Sequence, residues 1–248
     1  MSQISRHADN HKEDGLIPSC QWGNCELANV ELIRANLLDI EKKIAPCKPR
    51  IIGVTKYYAN EAIVNGYEAG LRDFAESRVF DAISKIESLP DKVKKSSVFH
   101  FIGHLQTNKA EKVVQYFDYI HSVDSLKLAK VISEKACQLD KREKILLQVN
   151  IAREEQKYGY SKEGLKIDLA EIIELKGLEV VGLMCMAPID ASDEELRALF
   201  GDLRNFKTEL EGEFNIELPE LSMGMSNDYE IAVSEGATMI RIGRKLFK

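Results

Sequence analysis

Apolar positions along the chain follow two alternating rhythms. Over residues 27–44, Leu27, Val30, Ile33, Leu37, Leu38 and Ile44 recur at roughly helical spacing, which predicts an amphipathic opening helix. A short apolar run follows at 51–55, bounded by polar residues and only slightly interrupted by Gly53, and it reads as a buried strand. The same pair of signals then repeats. Strands are expected at 72–77, 97–102, 119–123, 144–150, 178–186 (stopped by Pro188), 220–223 and 238–242. Helices are expected at 60–69 (closed by Gly70), from Ser77 through Ser88, at 108–115, from an Asp124 cap through Leu139, at 162–175 with Gly177 beyond, from a Ser192 cap through Leu210, and at 228–235.

Parallel strands need crossover connections, so regular β-then-α alternation predicts a parallel sheet. Eight such units in about 200 residues predict a single closed (β/α)8 TIM barrel. An open doubly wound sheet is the alternative, but no glycine-rich dinucleotide fingerprint follows the first strand. No linker rich in Pro, Gly or Ser divides the chain. The expected organisation is one barrel domain over 26–248, preceded by a polar tail at 1–25 that reads as flexible.

Charge narrows the partners. The 248 residues carry 34 basic and 40 acidic side chains, net −6, so there is no broad electrostatic claim on nucleic acid or on an anionic membrane. Lys92, Lys94 and Lys95 read as a solvated loop. Of five cysteines, Cys20, Cys25, Cys47, Cys137 and Cys185, the odd count argues against a disulfide framework. Cys20 and Cys25 have no matching Cys or His pair, so no metal site is expected, and Cys185 reads as a buried small hydrophobe. Reduced thiols suggest a cytoplasmic address. No stretch of 18 apolar residues marks a membrane span. The polar first 25 residues lack the apolar middle of a signal peptide.

In such a barrel the loops after the strands carry the site. Lys56 ends the first strand, among residues expected to be dry. A lysine there either snorkels to water or does chemistry, since desolvation favours the neutral, nucleophilic amine. After the seventh strand, Ser222-Met223-Gly224-Met225-Ser226 runs into a helix, where backbone amides and a hydroxyl receive anions well. After the eighth, Arg241-Ile242-Gly243-Arg244 does the same. Arg241 alternates with Ile240 and Ile242, so it points into the barrel if they face the helices; a buried arginine needs a partner. Turn chemistry at Gly224 and an internal carboxylate on Arg241 are the plainer readings. In HFIGHLQTNK, residues 100–109, His104 is the better candidate for the mouth because it follows the glycine. The loop at 153–160, with Glu154, Glu155 and Lys157, is a candidate gate.

Taken in order, VTKYY, FAESRV, HFIGHLQTNK, VNIAREEQKYG, GLMCMAP and LSMGMSNDYEIAVSEGATMIRIGRKLF closely resemble the pyridoxal-phosphate homeostasis protein family, also called the proline synthase co-transcribed family. The resemblance spans about residues 27–247. It implies a fold similar to the N-terminal barrel of bacterial alanine racemase, a fold-type III protein, with pyridoxal 5′-phosphate (PLP) as cofactor. By position, Lys56 matches the lysine that forms a Schiff base with PLP, and Arg241 the arginine facing the pyridine nitrogen. Ser222, Gly224, Ser226 and Gly243 match positions around the phosphate, with Arg244 offering a backbone N–H and Met223 beside the cofactor. The family usually reads Phe-Gly-Glu-Asn after the second strand, with the asparagine near the cofactor; here Phe74-Ala75-Glu76-Ser77 places the shorter Ser77 there.

The implied function is PLP (vitamin B6) homeostasis. The protein would buffer or deliver the cofactor, with PLP-dependent apoenzymes as recipients, as a monomer without a reaction of its own. A racemase of this fold takes a second acid/base group from a C-terminal β domain and a partner subunit, and the sequence stops before such a domain. The alternatives are an amino-acid racemase or lyase using Tyr57, Tyr58 or His104 as proton donor, or an aldolase on Lys56.

Overall fold

The computed structural model describes residues 29–152 and 158–248. The tail expected at 1–25 and most of the candidate gate at 153–160 lie outside them. The elements follow in the order α1 (Val30–Ile44), β1 (Arg50–Val54), α2 (Asn60–Ala69), β2 (Asp73–Glu76), α3 (Val79–Ser88), α4 (Asp91–Ser96), β3 (Val98–Phe101), α5 (Ala110–Tyr116), β4 (Tyr119–Val123) and α6 (Leu126–Gln138). The second half continues with β5 (Glu143–Gln148), α7 (Lys162–Ile173), β6 (Leu178–Met184), α8 (Asp193–Phe214), β7 (Glu220–Ser222), α9 (Tyr229–Ser234), β8 (Met239–Ile242) and α10 (Arg244–Phe247). The eight strands pair in sequence order, all parallel, and β8 closes on β1 through Arg50↔Met239 to Gly53↔Ile242. The chain is therefore a (β/α)8 TIM barrel, and among the described residues no helix is long and apolar enough to cross a membrane.

Strand parity sorts the core into two. Phe74, Phe101, Ile120, Ile145, Leu147, Leu183, Leu221, Ile240 and Ile242 face outward and join the helices in one large cluster. Ile52, Ala75, Tyr119, Leu146, Val181, Met184 and Met239 face the lumen. The rest of the lumen is polar: His100, His121, Ser222 and Arg241 are all buried. Gly53 is more than a slight interruption of β1. A Cβ there would meet Leu71 Cδ2 at 2.5 Å and the Phe247 ring at 3.1 Å, so α10 can cover β1 only over a bare backbone.

Several boundaries depart from the sequence reading. Ser125, not Asp124, caps α6 by accepting from Leu128 N–H. Lys92, Lys94 and Lys95 belong to the short helix α4, anchored by buried Val93, rather than to a loop. β6 stops two residues early, at Met184, because the Cys185 carbonyl is taken by the Arg241 guanidinium rather than by a neighbouring strand. β7 stops at Ser222, just before the positive φ of Gly224 redirects the chain.

Candidate functional site

Thr55 is locked from outside the barrel. Its hydroxyl donates to Glu76 Oε1 at 2.8 Å, and Lys85 Nζ donates both to the Thr55 carbonyl (2.9 Å) and to Glu76 Oε1 (2.8 Å). Glu76 is 1% exposed, so this ion pair works in a poorly solvated setting and fixes the backbone that presents Lys56. Lys56 itself is half-buried. Its amine lies 5.0 Å from the Tyr57 ring centroid and has no carboxylate or carbonyl partner among the described residues.

Arg241 enters the same mouth from β8. It is 4% exposed; Nη1 donates to Ser222 Oγ at 2.7 Å and Nη2 to the Cys185 carbonyl at 2.8 Å. Among the described residues no carboxylate touches it. Burial pushes its pKa below the ordinary arginine value, with the neighbouring Cys185 and Asp228 pulling the other way. Behind Ser222, His121 Nδ1 lies 2.9 Å from the hydroxyl, His121 Nε2 lies 2.9 Å from His100 Nδ1, and His100 Nε2 lies 2.9 Å from Asp73 Oδ1. Burial holds both histidines below the usual imidazole range, His121 well below it.

The third part is the pair of loops after β7 and β8. Gly224 has φ +89°, and a Cβ on it would come within 2.6 Å of the Ala232 Cβ, so glycine is required for this turn into α9. The Gly224 carbonyl accepts from Arg241 N–H at 2.9 Å, and Lys245 N–H, at the start of α10, lies 3.5 Å from Ser226 Oγ. The two loops are thus tied edge to edge, with Gly243 as the N-cap of α10 and Arg244 exposed beside it.

The alanine racemase N-terminal-domain family model matches residues 28–248. The pyridoxal phosphate homeostasis protein of Synechocystis sp. is 45% identical over 202 residues, covering 82% of this chain and 92% of that protein. The chain belongs to the pyridoxal phosphate homeostasis family. The family member of Aquifex aeolicus is 39% identical, over 80% of this chain and 86% of its own length. PipY of Synechococcus elongatus, solved with PLP bound, superposes with a TM-score of 0.79 at 38% identity, over 87% of this chain and 100% of its own. Alanine racemase of Clostridium difficile shares the fold, with a TM-score of 0.72 at 17% identity over 88% of this chain and 57% of that one.

For this member of the family, the residues singled out in the sequence fall in four places. Lys56, Arg241, Gly224, Ser226, Gly243 and Arg244 lie at the C-terminal ends of β1, β7 and β8, and Ser77 at the end of β2, half-buried. Ser222 lies in the lumen, its hydroxyl engaged by Arg241 and His121 rather than turned to the phosphate loops. Met223, one residue on, takes the opposite parity into the helix-side core, fully buried, so only its backbone can meet a ligand at the mouth. His104 stays on the β3 loop, stacked on Tyr158 at 3.8 Å and 3.4 Å from Asp124 Oδ2. The sequence reading missed His121 and the Glu76–Lys85 pair. The one available signal was parity, which puts His100, His121, Ser222 and Arg241 on inward positions of four strands.

Proposed function

We propose that the barrel binds PLP at its C-terminal mouth, attached to Lys56, and that it stores and hands over the cofactor without turning over a substrate. The observation that carries this is a lysine amine and an arginine at one mouth, neither with a carboxylate in contact among the described residues, next to tied serine- and glycine-bearing loops. A phosphorylated aldehyde fits that set: an amine for the aldehyde, a cation for the ring edge, backbone amides and a hydroxyl for the phosphate. The PLP-bound relative supports the assignment.

When bound, PLP supplies an aldehyde that amines take up reversibly and a ring that withdraws electrons. The chain's own residues decide how far that chemistry goes. Gly224, Ser226, Gly243 and the Arg244 N–H would hold the phosphate, and Ser77 would face the cofactor through water where longer relatives of its side chain reach it directly. Arg241 can only donate, so a ring nitrogen facing it stays unprotonated and withdraws electrons weakly.

A second acid/base group across the mouth has poor candidates. Tyr57 is 75% exposed, Tyr58 packs on Phe247 at 5.2 Å, and His104 is stacked on Tyr158. This arrangement supports a carrier over a racemase or lyase. The same reading makes the protein a cytoplasmic monomer with PLP-dependent apoenzymes as recipients.

The test is an absorbance spectrum of the purified protein with added PLP, before and after borohydride, for the native chain and Lys56→Ala. The expected result is a visible band, trapped on Lys56 by reduction and missing in the variant, with no amino-acid racemisation by the same sample. A protein that takes up no PLP overturns the assignment; rapid racemisation overturns the carrier reading alone.

A further inference from the structure

The lumen holds a line of hydrogen bonds whose direction can be read from one end. Arg241 has only donors, so Ser222 Oγ must accept from Nη1, at 2.7 Å. The serine proton then has one imidazole nitrogen in reach among the described residues, His121 Nδ1 at 2.9 Å. If that nitrogen accepts, His121 carries its proton on Nε2 and gives it to His100 Nδ1 at 2.9 Å. His100 in turn carries its proton on Nε2, facing Asp73 Oδ1 at 2.9 Å. The reverse direction leaves the serine proton without an acceptor among the described residues and turns a bare His100 Nε2 toward the Asp73 carboxylate, which can only accept.

Geometry holds the line rigid. The His100 ring stacks on Tyr119 at 4.7 Å and meets His121 edge-on at 5.1 Å. Arg50 lies over the other neighbour in this layer, the Tyr119 ring, at 5.3 Å and 3.6 Å from Asp73 Oδ1. His100, His121 and Ser222 are each at most 1% exposed, so water does not compete for any link. Burial opposes a positive charge on either ring; at His121 the neighbouring His100, Arg241 and Arg50 oppose it too, while at His100 the Asp73 carboxylate pulls the other way without overcoming burial.

We propose that Asp73, His100 and His121 are positioning residues for Arg241, fixing through Ser222 which guanidinium N–H groups face the mouth and linking that cation to a carboxylate at the opposite end of the barrel. Two of the five guanidinium donors are spent, on Ser222 and on Cys185, and the remaining ones are left for a ligand. The ligand side of this inference rests on the PLP reading above; the tautomer pattern does not.

The experiment therefore has two arms. Long-range ¹H–¹⁵N spectra of the ligand-free protein read the tautomers directly: both buried histidines should carry the proton on Nε2, with Nδ1 bare. A proton on Nδ1 of either ring overturns the proposal whether or not PLP binds. In the second arm, His121→Leu should weaken PLP binding at least about tenfold and shift the visible band. His121→Asn, which keeps an acceptor toward Ser222, should stay within about threefold of the native chain. Equal affinities in the two variants would mean that the ring only fills space, and would overturn the proposal. If the leucine variant does not fold, the tautomer measurement decides. A native protein that takes up no PLP removes the functional reading and leaves the tautomer result standing.

Discussion

At the N-terminal mouth of the barrel, Arg50 lies 3.6 Å from both Asp73 and Glu220, and Lys141 lies 2.8 Å from Glu143. At the C-terminal mouth, Lys56 has no anionic partner among the described residues and Arg241 rests on a hydroxyl and a carbonyl. The N-terminal face also holds a cavity of about 520 Å³, lined by Arg50, Asp73, Asp118, Tyr119 and Lys144 among others. Its size makes it a rival to the C-terminal mouth. Pairing separates the two mouths only in part: Arg50 and Lys141 are matched within the chain, whereas Arg142 and Lys144, which also line the cavity, have no ion pair among the described residues. What the C-terminal mouth adds is a lysine amine next to tied glycine- and serine-bearing loops that can receive a phosphate.

The sharpest way to break this contrast is to remove pairing just behind the C-terminal mouth. Lys85→Met leaves Glu76 buried without its cation and should cost about 3–5 kcal/mol in denaturant unfolding, while the double change with Glu76→Gln should recover much of it. An unchanged unfolding midpoint in Lys85→Met would mean that the pair does not hold Thr55.

Next comes the N-terminal mouth. Burial pushes the Glu143 carboxyl up to about 7, with Lys141 pulling it back only in part. An acid whose folded pKa lies above its unfolded value binds more protons when folded. Its contribution is full below the unfolded pKa, near 4.5, and is lost as pH rises through about 7. Between pH 5 and pH 8 the native chain should lose about 1–3 kcal/mol relative to Glu143→Gln. Parallel stability curves for the two proteins would count against a neutral Glu143.

Smaller again, Gly224→Ala forces a left-handed φ on alanine and pushes its Cβ against Ala232, a cost of about 1–2 kcal/mol that should appear both in stability and in weaker PLP uptake. The smallest effect is expected at Lys144, whose amine lies 5.3 Å from the Tyr119 ring centroid. Lys144→Ala should cost about 0.5–1 kcal/mol of stability and leave PLP uptake unchanged. Loss of uptake in Lys144→Ala would move the binding site to the wrong face.

Period and parity made much of this legible in the sequence. The eight strands came from alternation of apolar runs with helical spacing, and the inward turn of Arg241 followed from Ile240 and Ile242 on either side. Parity within the seventh strand was harder to see, because LSMGMS reads as one motif while Ser222 and Met223 go to opposite sides of the sheet. The histidine line was hidden for a different reason. Its members come from β2, β3, β4, β7 and β8, and no local spacing relates Asp73 to Ser222 before the barrel closes. The Glu76–Lys85 pair is likewise a contact between the end of one strand and the helix after it, where two charged residues look like ordinary surface.

Closure of β1 on β8 carries a consequence for the order of events in the cell. Arg50 is made long before its partner Met239, and Lys56 long before Arg241 and Gly243. Contacts between such distant stretches form late, after the intervening chain has been ordered. A growing chain can therefore display the lysine but not the arginine or the phosphate loops. Any ligand that needs all three arrives only at a finished barrel, so cofactor loading here reports completed folding rather than assisting its first steps.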